Sequence, residues 1–236
     1  MSESLVIPAE FNGPMDSGNG GYSAGAVAAF LDGAAAVSLR SPVPLDTHLD
    51  VVVEDGVARA LDGETLVAEA ERAPGFGVEV PDPVGLEEAR EASTRYRGLM
   101  DGPFSRCFVC GRAREDALEV FAGPVAGREV VASSWTPPAW TGGDDARVRP
   151  EIVWAVLDCP TYFAAYAGEE GTIAFLARLT ARLDALVSVG EEHVVMAWPI
   201  DADGRKRRAG SAVISAEGEV LAAAEALLIE PRQVAA

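Results

Sequence analysis

Positive charge is scarce in this chain. Its 236 residues carry 19 Lys and Arg against 37 Asp and Glu, a formal net charge of −18. So acidic a surface repels nucleic-acid phosphates and anionic lipid, and neither is expected as a general partner. Histidine occurs twice and cysteine three times. An odd handful of cysteines in a chain this long makes no disulfide framework. Long apolar runs are missing too: none reaches ~18 residues without a charge or a helix breaker, so no membrane span is expected. The opening MSESLVIPAE has no basic n-region and no apolar core of the signal-peptide kind, which makes a cytoplasmic location the default expectation. What remains, 49% hydrophobic and 24% charged residues, is the balance of an ordinary globular protein.

The richest stretch is GNGGYSAGAVAAFL, Gly18 to Leu31. It runs from glycines into a helical segment with almost no polar face, and a helix apolar all round is a buried helix. The segment Pro150 to Ala167 reads the same way. After each comes a β-rich run, Val37 to Glu71 and Leu179 to Glu230, closing on similar strands: LDGETLVAEAE and AEGEVLAAAEA. The glycine in each closing piece supplies the positive φ that a hairpin turn needs. Between the halves, APGFGVEVPDPVG breaks structure, and GLEEAREASTRYRGLM, acidic early and basic late, reads as an exposed helix. The chain therefore divides into an N-terminal unit at 1–75, a connector at 76–103 and a C-terminal unit at 104–236. The expected class is α+β, with two buried helices packed on one continuous, curved antiparallel sheet.

Several residues could carry chemistry, and each has a plainer reading. Asn19 can cap a helix, while the amides of Gly20 and Gly21, orphaned by the first helix turn, can face a ligand. Asp158 is the only charged residue from Ile152 to Ala167. A carboxylate buried alone there has its pKa raised toward neutrality. Alternatively it caps a second helix beginning at Cys159, since Pro160 disfavours a continuous one. The run GRKRR, Gly204 to Arg208, is a solvated hairpin turn or a basic patch for an anionic ligand. Cys107-x-x-Cys110 reads first as structural thiols. Zinc would need four ligands, and the other donors, Cys159, His48 and His193, are scattered in sequence. A redox pair lacks its usual context. Trp135, Trp140, Trp154, Tyr162 and Phe163 read as core that can also line a pocket. GNGGYS lacks the third glycine and the flanking strand of a dinucleotide site. No metal and no cofactor is expected.

NGGYSAG (Asn19 to Gly25), AVLD (Ala155 to Asp158), CFVCGRAREDAL (Cys107 to Leu118) and the two closing strands together resemble the hotdog-fold acyl-CoA thioesterases. The order and duplication are similar to a double hotdog, in which one polypeptide supplies both halves of the usual dimer, as in the acyl-CoA thioesterase II family. The CFVCG segment is similar to one preceding phenylacetyl-CoA-thioesterase-like domains, with Ala117 replacing a glycine. The resemblance implies hydrolysis of an acyl-CoA thioester, with an oxyanion donor at the glycine turn and a carboxylate on the buried helix. Asp158 matches the carboxylate, and Thr180 matches an accompanying hydroxyl across a gap. A glutamine of that family falls near Ala226, with Glu225 adjacent. Asn19, Gly20, Gly21 and Tyr22, with Arg205 and Arg207, are the implied substrate-binding residues. Each half departs from the pattern: Ala28 stands where the first carboxylate belongs, and Pro150, without an N–H, stands at the second turn. Either one composite site spans the halves, or catalysis has decayed and a non-catalytic acyl-CoA or small-lipid binding module remains. Neither helix carries the histidine that a hotdog dehydratase would need. The fused halves already satisfy the minimal dimer, so further homo-oligomerisation is optional.

Overall fold

The structure is a computed structural model describing residues 3–14, 16–98, 102, 104–169 and 171–232. Three helices are described: α1 (Gly20–Ala28), α2 (Leu86–Ser93) and α3 (Pro150–Ala165). The strands are β1 (Glu3–Val6), β2 (Ala35–Leu39), β3 (His48–Glu54), β4 (Val57–Asp62), β5 (Thr65–Arg72), β6 (Gly123–Pro124), β7 (Val131–Trp135), β8 (Phe175–Leu183), β9 (His193–Asp203), β10 (Lys206–Ile214) and β11 (Val220–Ile229). All pairings are antiparallel, and they make one sheet in the order β1-β3-β4-β5-β2-β8-β11-β10-β9-β7-β6. The halves join where β2 pairs with β8, from Ala35 opposite Ala181 to Ser38 opposite Arg178.

The two apolar helices lie together on one face of this sheet. Tyr22, Ala24 and Val27 of α1 share a core with Ile152, Ala155 and Leu157 of α3, and with Val37, Leu179 and Ala224 from the strands. The helices cross closely because α1 presents Gly21 and Gly25 to α3. A Cβ at Gly21 would lie 2.5 Å from the Trp154 carbonyl oxygen, and one at Gly25 would lie 2.8 Å from the Glu151 Cα. The other face of the second half is covered by α2, whose Ala89 and Ala92 pack with Ala132, Met196 and Ile214. The helix expected in the connector is therefore amphipathic, its acidic side outward and its alanines inward.

The apolar composition suggests a first helix from about Gly20 to Val37; α1 ends at Ala28 instead, and Ala35–Leu39 is β2. Helix α3 is longer than Pro160 suggested, and runs unbroken through it. A proline there lacks the N–H that would bond the Val156 carbonyl, and its ring crowds that turn. One residue on, Ser211 Oγ of β10 donates to the Leu157 carbonyl at 2.6 Å and ties this turn of α3 to the sheet. Ser211→Ala removes that buried hydrogen bond and is expected to cost about 0.5–1.5 kcal/mol, read from denaturant unfolding.

His48 and His193 begin the corresponding strands β3 and β9. His193 is buried, its Nδ1 2.9 Å from the Glu191 carbonyl. Burial lowers its pKa below the ordinary 6.5, partly opposed by that carbonyl. The unfolded chain then binds the proton more readily, so His193 contributes stability above about pH 6.5 that is lost as the pH falls through its folded pKa. His193→Gln should flatten the acid side of the melting temperature against pH. An unchanged slope would show that the carboxylates set it.

Candidate active site

A short motif opens each half of the site. A 3₁₀ turn, Ala9–Phe11 or Ala139–Thr141, leads to a small loop and then to α1 or α3. The loops match bond for bond: Asn19 N–H donates to the Phe11 carbonyl, and Arg149 N–H to the Thr141 carbonyl. Pro8 and Pro138, Asn19 and Arg149, Gly21 and Glu151, and Ala28 and Asp158 thus stand at one constant spacing. The matched PAEF and PAWT were the overlooked sequence signal for this repeat.

Asp158 lies mid-helix on α3, so it caps nothing. Its carboxyl Oδ2 accepts the Gly21 N–H at 2.8 Å, across the interface between the two halves. The residue is 8% exposed, and burial pushes its pKa up to about 7, against the opposing pull of the Gly21 amide and with help from the nearby Cys107 sulfur. From there a carboxylate can take a proton from water near neutrality. The Gly21 amide, expected to face a ligand, instead anchors this carboxyl. The Gly20 N–H finds no acceptor among the described residues, and Gly20 lines the adjoining cavity.

That cavity measures about 600 Å³, within the ~300–1,000 Å³ of small-molecule sites. Asp158, Asn19 and Gly20 stand on its wall, and Phe104, Phe163, Phe175 and Leu176 make much of it apolar. Asn19 is both a cap and a wall: its Oδ1 accepts the Tyr22 N–H at 2.9 Å. That fixes the amide so that Nδ2 lies 3.6 Å from the Cys107 and Cys159 sulfurs. Cys107 Sγ and Cys159 Sγ are 3.7 Å apart. The cysteines scattered in sequence are thus gathered in space, and the neighbouring thiols hold the Cys107 pKa below the ordinary thiol range.

Other expected site residues are placed elsewhere. Tyr22 is buried in the core, stacked on Phe11 at 4.1 Å, with burial raising its pKa to about 12. Thr180 is absent from the cavity wall. It alternates with Leu179 and Ala181, which point into the helical core, and it stands opposite Glu225. The run at Gly204 to Arg208 makes the β9–β10 hairpin turn at Gly204 (φ +56°) and Arg205 and then starts β10. Of its cations, Arg205 reaches the cavity rim. Arg207 pairs with Glu169 at 2.8 Å and lies over the Tyr166 ring, while Arg208 pairs with Asp201 and Glu225. Trp140 is exposed, whereas Tyr162 and Phe163 line the cavity. Asp32, one turn beyond Ala28, pairs with Arg72 at 3.1 Å.

No protein-family model matches the chain, and no curated protein matches it in sequence. Solved structures do. A conserved protein of unknown function with the hot dog fold from Alicyclobacillus acidocaldarius aligns over 98% of this chain and 93% of its own, at 13% identity and TM-score 0.58. The fold is a double hotdog. A putative thioesterase from Novosphingobium aromaticivorans matches this double hotdog over 97% of the chain and 95% of its own, at 12% identity and TM-score 0.63. An acyl-CoA thioesterase II from Mycobacterium marinum aligns over 85% and 80%, at 13% identity and TM-score 0.54. The chain also covers 61% of the length of a thioesterase superfamily structure, using 51% of its own. The double hotdog explains the sheet order: each half wraps one helix, and the β2–β8 seam sets the helices side by side.

Proposed function

We propose that the protein hydrolyses an acyl-CoA thioester at the cavity between its halves. The carrying observation is the Asp158 carboxylate, tied at 2.8 Å to the Gly21 amide of the opposite half and opening on an apolar cavity. This favours one composite site over two decayed ones. Solved structures described as thioesterases share the fold over 85% to 97% of the chain.

In this reading the acyl group enters the apolar cavity and its carbonyl approaches the N-terminus of α1, where the Gly20 N–H donates to the oxygen. One Asp158 oxygen stays on Gly21. The other takes a proton from water as the water oxygen bonds to the carbonyl carbon. The tetrahedral intermediate then breaks its C–S bond, the thiolate leaves, and the proton on Asp158 passes to the sulfur. The products are a carboxylic acid and free CoA, and the carboxylate is regenerated.

Arg205 suits the anionic end of CoA, which the net charge of −18 would otherwise repel. Arg205→Ala is expected to raise KM and weaken its salt dependence while leaving kcat in place, as loss of a rim charge does. An unchanged KM at low salt would remove Arg205 from the binding path.

The test is thiol release from short, long and aromatic acyl-CoAs by the native chain and by Asp158→Asn. Turnover by the native chain that is lost in the variant, with folding unchanged, supports the proposal. Binding of every acyl-CoA without turnover would instead support the non-catalytic module.

A further inference from the structure

The sulfur cluster beside this cavity is not used by the hydrolysis just described. Cys107 and Cys110 come from the loop Cys107-Phe-Val-Cys110-Gly111, and Cys159 comes from α3. Their three Sγ atoms all lie within 4.8 Å of one another. Packing alone gives three thiols little reason to converge, since S–H groups are weak donors and weak acceptors.

Polar hydrogens face two of the three sulfurs. The backbone N–H groups of Val109 and Cys110 lie near the Cys107 sulfur and favour its thiolate. The loop closes on itself through Gly111 N–H to the Cys107 carbonyl at 2.8 Å. Only glycine fits there, because a Cβ would meet the Cys107 and Ser105 carbonyl oxygens at 2.5 Å. Tyr96 Oη donates to the Cys110 carbonyl at 2.7 Å and pins the loop from outside. Asn19 Nδ2 reaches the Cys107 and Cys159 sulfurs at 3.6 Å each, and its orientation is independently set by the cap at Tyr22.

The spacing is that of a shared ion. Two Zn–S bonds of ~2.3 Å at the tetrahedral angle hold their sulfurs ~3.8 Å apart, and Cys107 and Cys159 stand at 3.7 Å. Cys110 and Cys159 also line the cavity, which leaves a fourth ligand, water, an open approach from that side. We propose that Cys107, Cys110 and Cys159 bind one zinc ion through three thiolates, with the fourth coordination position open to the cavity. Binding releases the thiol protons to solvent, and the three thiolates and Zn²⁺ together carry one negative charge. The Asn19 amide and the loop N–H groups stabilise that charge as hydrogen-bond donors to metal-bound sulfur. The sequence led to no expectation of a metal because the donors look scattered along it; the fold removes that objection by bringing α3 to the loop. The inference does not depend on the hydrolysis reading.

The test uses the full chain, purified under reducing conditions and shown by thiol titration to hold three free thiols after chelation. Zinc is titrated in competition with a chromophoric chelator, and Co²⁺ is substituted as a spectroscopic probe. The expected result is one ion per chain with a Kd below about a micromolar. The Co²⁺ form should show sulfur-to-cobalt charge-transfer absorption. Cys159→Ser and Cys110→Ser should each weaken binding by more than about tenfold. Should either variant fold poorly, protection of all three thiols of the native chain by zinc against a thiol reagent reads the same site. The proposal is overturned if the reduced native chain retains no zinc at micromolar concentration. It is equally overturned if folded Cys159→Ser binds zinc as well as the native chain, or if zinc protects none of the thiols.

Discussion

Asp158→Asn is expected to reduce thioester turnover by about a hundredfold to ten-thousandfold, the range spanned by positioned general bases. The substitution is nearly isosteric. The amide oxygen of the new side chain can still accept the Gly21 N–H, so the bond between the halves, 2.8 Å in the native chain, survives and the helices stay in register. What disappears is the ability to take a proton, at any pH. The substrate carbonyl and acyl chain touch other groups, so KM should move little. The loss should appear equally in kcat and kcat/KM, the signature of an interaction made only in the transition state. Thiol release under single-turnover conditions, with thermal unfolding measured alongside, checks both parts. A folded variant retaining most of the native turnover would take this carboxylate out of the chemistry.

Gly21→Ala carries the largest expected effect on stability. Its new Cβ would lie 2.5 Å from both the Trp154 carbonyl oxygen and the Asp158 Cβ, and 2.8 Å from the Ala155 Cα. All three atoms belong to the body of α3, with no flexible side-chain end to yield. Relief requires the two helices to separate, opening the core they share. Overpacking of this kind costs about 1–3 kcal/mol and sometimes more, and the upper end is expected here. For a chain of this size that lowers the melting temperature by roughly 6–12 °C. Gly77→Ala is the matched control: a Cβ there meets nothing within 4 Å, and the change should stay within about 0.5 kcal/mol. Equal melting temperatures for the two variants would show that the helix crossing is softer than its geometry.

The fold was readable because each half repeats one simple signal. An apolar helix with no polar face must be buried, and the strands that follow each one supply the sheet that buries it; the joining of the two sheets was legible only through the hotdog resemblance. The helix ends were less readable. Ala35 to Leu39 continues the apolar composition of α1, and only pairing with β5 and β8 makes it a strand. Pro160 pointed to a break, but the Ser211 hydroxyl that serves the α3 backbone there comes from a strand distant in sequence. At the site, Asp158 stood out as a lone charge in an apolar run. Its partner did not, because Gly21 meets it only through the helix crossing. Tyr22 was drawn in by its place beside Gly21, and Thr180 only by the family resemblance. A helix and a strand send neighbouring side chains in different directions, and both point away from the cavity. The cysteine cluster was invisible for the same reason as the Gly21 bond: its members meet only after the second helix has docked.

The constant spacing between the two helix-opening motifs has a consequence for how the molecule can change. In an assembly of two identical halves, each substitution appears twice, and a helix start cannot be altered at one site without altering the other. Here the two starts are encoded separately. One keeps glycines and lets a carboxyl from the opposite helix dock against it. The other has taken a proline at its first helical position and a Glu151 that pairs with Arg149 at 3.1 Å. On the proposed reading the chain then has one place for an acyl ligand where a symmetric pair would have two. Its saturation curve should be hyperbolic, with a stoichiometry of one ligand to one chain.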